Sequence, residues 1–147
     1  MTRYLLVVDF QGGVVDTPME EWKPEEITAH LDYYRALQRE LIDSGELVDS
    51  QVLTGPDLAK IVTYDGLTAP VVTDGPFSEF KEWLAGYQIV DVDTPERAID
   101  IAARVSAVPG PGGVALQQPI QVRQIMESAP SNADEMGAFL EQVSDAH

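Results

Sequence analysis

The stretch Gly86–Ser106, GYQIVDVDTPERAIDIAARVS, contains a strand, a helix start and a helix in direct succession. Gly86 to Val92 is rich in β-branched and aromatic residues and predicts a strand. Thr94 then offers a hydroxyl to the first free backbone amides of a helix, and Pro95 presets the first helical φ. Ala98, Ile99, Ala102 and Val105 recur at helical spacing and predict its inner face.

Upstream, the same order occurs once more. Arg3 to Phe10 reads as a buried strand closed by Gly12-Gly13, and a polar loop runs from Gln11 to Lys23. Pro24 at the first helical position, Glu25 and Glu26 in the first turn and Gly45 as a stop predict a helix of about twenty residues. Ile27, Leu31, Tyr34, Leu37 and Leu41 form its apolar stripe, and His30 falls on the stripe's edge. Glu46 to Leu53 supplies a strand, Lys60 to Tyr64 and Pro70 to Thr73 flank Asp65-Gly66 as a hairpin, and Val114 to Val122 reads as the last strand. Ser131 or Asn132 caps a C-terminal helix through Met136, Phe139, Leu140 and Val143.

With the hairpin set aside, the order is strand, helix, strand, strand, helix, strand. That is the split βαβ arrangement of a ferredoxin-like α+β sheet with both helices on one face. The expectation is a single domain over 1–147, with a core of about 3–122 and a helical extension of about 131–147. The sheet's other face then needs a cover, and a second copy of the chain is the expected one, making a homodimer.

Among the 147 residues, nine basic side chains stand against 25 acidic ones, for a net charge of −16. Such a surface repels polyanions, and the cations are scattered rather than striped, which argues against nucleic-acid binding. Cysteine is absent, removing disulfides, zinc thiolates and a cysteine nucleophile together. The apolar run Leu5–Val8 is too short for a signal peptide, and no stretch reaches the length of a membrane span, so a cytoplasmic protein without membrane contact is expected.

Asp74-Gly75-Pro76-Phe77, preceded by Val71-Val72-Thr73 and followed by Glu79, Lys81, Glu82, Gly86 and Tyr87, is the most specific string in the chain. It resembles the signature of the YCII-related family in its DGPF branch. The opening Arg3-Tyr4-Leu5-Leu6 and the later Asp91-Val92-Asp93 match as well, so the likeness runs from about Arg3 to Val122. Phe80, Trp83 and Ala85 depart from the residues usual there, which bears on pocket shape rather than on fold. The resemblance implies a dimeric α/β-barrel-like assembly, most of whose members have no established activity. It also implies kinship with dehydrochlorinase-type enzymes that use a histidine and an aspartate, and a frequent genomic association with extracytoplasmic-function sigma factors.

Turn chemistry alone accounts for the glycine and proline of the motif, because glycine permits positive φ and proline fixes the next φ. It accounts less well for an acid in place of asparagine. His30 is the only internal histidine. On a sheet-facing helix it has a bland reading as a hydrogen-bonded core residue, and a chemical one as a proton-transfer group, the role that the resemblance attaches to a histidine of the first helix. A carboxylate beside an imidazole fixes its tautomer, and an unperturbed value of about 6.5 suits proton transfer at neutral pH. Asp74 is the first candidate partner and Asp9, ending the first strand, the second.

Trp22, Phe77, Lys81 and Tyr87 complete the candidate substrate-binding set, with Trp22 at the mouth. No serine lies in a nucleophile elbow. Gly110-Pro111-Gly112-Gly113 follows a helix rather than a strand, which is the wrong context for a dinucleotide fingerprint. Neither a cofactor nor a metal is expected. The functional expectation is a small-molecule lyase or isomerase built on a His–Asp pair, or else a ligand-binding or regulatory module of the sigma-factor-linked kind.

Overall fold

The structure, a computed structural model, describes residues 1–9, 17–75 and 84–145. Strands β1 (Thr2–Asp9), β2 (Leu47–Val52), β5 (Leu84–Val92) and β6 (Ile120–Gln124) form one antiparallel sheet in the order β2-β5-β1-β6. Strands β3 (Lys60–Thr63) and β4 (Val71–Asp74) pair separately as the inserted hairpin. Helix α1 (Pro24–Asp43) follows β1, α2 (Pro95–Ser106) follows β5, and α3 (Ala133–Asp145) ends the chain. Numbered by their order in the chain, the four strands run second, third, first, fourth across the sheet, which is the ferredoxin-like arrangement expected from the split βαβ pattern.

Local chemistry explains the helix boundaries. Glu26 accepts from the Lys23 amide at 2.9 Å at the start of α1, while Gly45, at φ +77°, terminates it in a conformation that side chains disfavour. The Thr94 hydroxyl accepts from the Arg97 amide at 3.2 Å at the start of α2. The core lies between the two helices and one sheet face. Tyr4 and Leu6 of β1 and Val90 and Val92 of β5 meet Leu37 and Leu41 of α1 and Ile101 and Val105 of α2.

Three details differ from the sequence reading. The buried stripe of α1 runs through His30, Leu37 and Leu41, while Leu31 is 49% exposed, so the histidine belongs to the stripe itself. On α2 the inner residues are Ala98, Ile101, Ala102 and Val105, and Ile99 faces outward. One residue's step on a helix is a rotation of about 100°, enough to exchange faces. The last strand begins at Ile120 rather than Val114. Gln117 takes a positive φ of 57° and Pro119 has no amide to donate, so 114–118 cannot continue the ladder. That segment instead buries Leu116 against Trp22 and Val108, forming a second small core at the edge of the first.

Candidate functional site

Between α1 and the β2/β5/β1 side of the sheet lies a cleft of about 1110 Å³. His30 lines it from α1, together with Tyr34 and Gln38, which follow at helical spacing. Gln88, Gly86 and Ser50 line it from the sheet, and Trp22 from the segment before α1. Asp9 lines it from the end of β1 beside Val8. Strict alternation would send consecutive strand residues to opposite faces. The pairing shifts register between Val8 and Asp9, with Ala85 the extra residue on β5, and it is at this irregularity that both meet the cleft.

His30 is 8% exposed and held on three sides. Its Nδ1 lies 2.9 Å from the Pro109 carbonyl oxygen, and its ring meets those of Trp22 and Tyr34 edge-on at 5.5 and 5.2 Å. A carbonyl only accepts, so Nδ1 carries the proton of the neutral ring and Nε2 keeps its lone pair. Trp22 is fixed in turn by its indole N–H donating to the Thr17 carbonyl at 3.0 Å. Burial lifts the Tyr34 phenol above its ordinary range, with Tyr33 adding a smaller push, so Tyr34 stays a neutral hydroxyl.

The floor of the cleft contains a polar group in an apolar setting. Gln88 occupies the inward alternation of β5 with Gly86, Val90 and Val92, and its Oε1 is buried without a hydrogen-bond partner among the described residues. Across the β2/β5 ladder its Cα partner is Ser50, whose hydroxyl accepts from Gln38 Nε2 at 3.0 Å. Sequence reasoning passed over all three. The available signal was a glutamine placed among the inward positions of an otherwise apolar strand.

The expected site residues separate in space. Asp9, Trp22, His30 and Tyr87 all line the cleft. Tyr87 also donates its hydroxyl to Asp49 at 3.3 Å. Asp74 stands exposed at the end of β4, paired with Lys60 across the hairpin, and is not among the described residues lining the cleft. The structure therefore does not bring Asp74 to His30, and among the described residues no carboxylate is hydrogen-bonded to the imidazole. Phe77 and Lys81 lie outside the described residues. Among the described residues no cluster of potential metal ligands occurs, and no helix is long and apolar enough to cross a membrane.

A ferredoxin-like α+β domain with a cleft between its first helix and its sheet is the class that these elements define. Residues 2–121 match the model of the YCII-related domain, and the chain belongs to that family. It is also 32% identical over 85 residues, 58% of this chain and 68% of the relative, to an uncharacterized protein of Rhizobium meliloti (strain 1021).

Proposed function

We propose that the cleft binds a small molecule and that His30 performs proton transfer there as a general base, in an enzyme of the lyase or isomerase kind. The observation that carries this reading is the anchoring of His30 Nδ1 on the Pro109 carbonyl within the cleft wall. That hydrogen bond holds the ring in the tautomer whose Nε2 can accept a proton, and it strengthens when the ring becomes cationic. In this reading Asp9, one of two carboxylates that line the cleft, stabilises the imidazolium in place of Asp74.

Nitrogen-15 NMR of the imidazole tests this directly. In the neutral ring, Nδ1 is expected to resonate as protonated and Nε2 as unprotonated. The opposite tautomer would remove the base from the cleft. Proton abstraction from a C–H acid also exchanges that hydrogen into deuterated water, and His30→Gln is expected to abolish any such exchange while leaving the fold intact.

A binding module without turnover is the second reading, and it is favoured by the backbone carbonyl that holds His30 where a catalytic carboxylate would be expected. It predicts that His30→Gln retains ligand-induced stabilisation.

The partner we propose is a second copy of the chain. Leu5 and Val7 of β1 and Ile89 of β5 project from the sheet face opposite the helices and are only half-buried in one chain. A second sheet laid on this face would remove that apolar surface from water.

A further inference from the structure

We infer that the cleft takes a neutral or cationic ligand rich in N–H or O–H donors, an amine or a primary amide, seated with a donor on Gln88 Oε1 and an apolar portion against Trp22. This rests on the reading of the cleft as the functional site. Its basis is the hydrogen-bonding sense of the wall. Gln88 is 5% exposed, and its Oε1 is an acceptor with no donor among the described residues, on a side chain that lines the cleft. A buried acceptor left unpaired is unfavourable by about the worth of a hydrogen bond, and a ligand that donates to it recovers that loss. The terminal torsion of glutamine is soft and twofold, so the amide can turn its oxygen toward an arriving donor without disturbing β5.

Further acceptors line the same space. His30 Nε2 retains a lone pair because Nδ1 serves Pro109. Asp9 and Glu20 add carboxylates to the same lining. Donors are present too, the hydroxyls of Thr17, Ser50 and Tyr34 and the side-chain amides of Gln51, Gln88 and Gln118, but they carry no positive charge to set against the two carboxylates. An anionic ligand would meet two carboxylates, whereas an ammonium group would be attracted to them and to the faces of the aromatic rings.

Three probes that share one benzyl group separate the possibilities: phenethylamine, phenylacetamide and phenylacetate, titrated into the full chain and followed by the backbone amides of Gln88 and Ser50 and the indole N–H of Trp22. The amine and the amide are expected to shift these signals, with phenylacetate at least about tenfold weaker. Gln88→Met, which keeps the length and removes the acceptor, is expected to weaken both binders by about five- to tenfold. Phenylacetate binding as tightly as the amine, or indifference of both binders to Gln88→Met, would overturn the donor assignment and leave the cleft reading intact. Silence of all three probes at the cleft would overturn both.

Discussion

The Nδ1–H of His30 reaches the carbonyl oxygen of Pro109 across 79 positions of chain, joining the middle of α1 to the turn that follows α2. This bond fixes the imidazole at the wall of the cleft, and it also closes the second small core, in which Trp22, Val108 and Leu116 pack together. Structure and chemistry therefore depend on the same nitrogen. Replacing His30 by Phe keeps the aromatic contacts but leaves the Pro109 carbonyl without this donor. The expected loss is about 1–2 kcal/mol, read from urea unfolding at neutral pH. Unchanged stability would show that the carbonyl finds water at no cost and that the ring is not held as described.

Arg97 and Glu46 provide a pH-sensitive clasp between α2 and the start of β2. The guanidinium donates through Nε and Nη2 to the two carboxylate oxygens at 2.8 and 2.9 Å, with the Glu46 side chain 14% exposed. The hydrogen bonds from Arg97 hold the Glu46 carboxyl below the usual range, against the opposing effect of burial. Because the folded value is depressed, the stabilisation is fully present above the ordinary carboxylate value and disappears as pH falls through the lowered one. Glu46→Gln is expected to reduce stability by about 1 kcal/mol at pH 7, discounted for the partial exposure of the arginine. The difference from wild type should shrink below pH 4 or so. A constant difference across that range would remove the ion pair as its cause.

Periodicity made the order of elements legible, because the βα unit of residues 86–106 and its earlier counterpart both begin with strong local signals. Pro24, Thr94-Pro95 and Gly45 act within one helical turn of themselves, so they mark α1 and α2 without any knowledge of tertiary structure. The extent of β6 was less readable. Val114 to Gln118 has strand-like composition, and it is the burial of Leu116 beside Trp22 that draws it away from the ladder. Site residues divided in the same manner. His30, Trp22 and Asp9 were readable from residue type and place, whereas Gln88 has meaning only once β5 has a buried face and no donor among the described residues answers it. Asp74 belongs to the most specific motif of the chain, and a motif carries no information about which way its hairpin leans.

Gly86 sets the width of the cleft floor. A Cβ built there would stand 2.8 Å from the Gln51 carbonyl oxygen and 3.5 Å from the Val52 Cα, both backbone atoms of the neighbouring strand. Backbone cannot swing aside as a long side chain can, so Gly86→Ala must push β2 away from β5. Destabilisation of about 1–3 kcal/mol is expected, in the range of an overpacked core. Amide exchange should accelerate at Val52 and Leu53, whose strand pairing ends at this point. Gly137, by contrast, has open space around its Cβ position, and on α3 its replacement by alanine should stabilise by up to about 1 kcal/mol through helix propensity. If the two substitutions behaved alike, the close approach of β2 to Gly86 would not be what requires glycine there.

The proposed second copy can be separated from the cleft because Leu5, Val7 and Ile89 are not among the residues that line it. Ile89 stands between Leu5 of β1 and Asp49 of β2 in the ladder, so a long cation at position 89 would be central to any sheet-on-sheet contact. In a single chain the same side chain borders solvent, and its replacement leaves the helix-facing core of Leu6, Val90 and Val92 untouched. Sedimentation equilibrium of wild type is therefore expected to give twice the mass of the chain, and Ile89→Lys the mass of one, with helical circular dichroism unchanged. A charge buried in such an interface without a partner opposes association strongly, by several kcal/mol, so even a tight dimer should dissociate at micromolar concentration. A wild-type chain that sediments as a monomer would show that this face meets water or some other partner. A variant that remains dimeric would place the interface elsewhere on the surface.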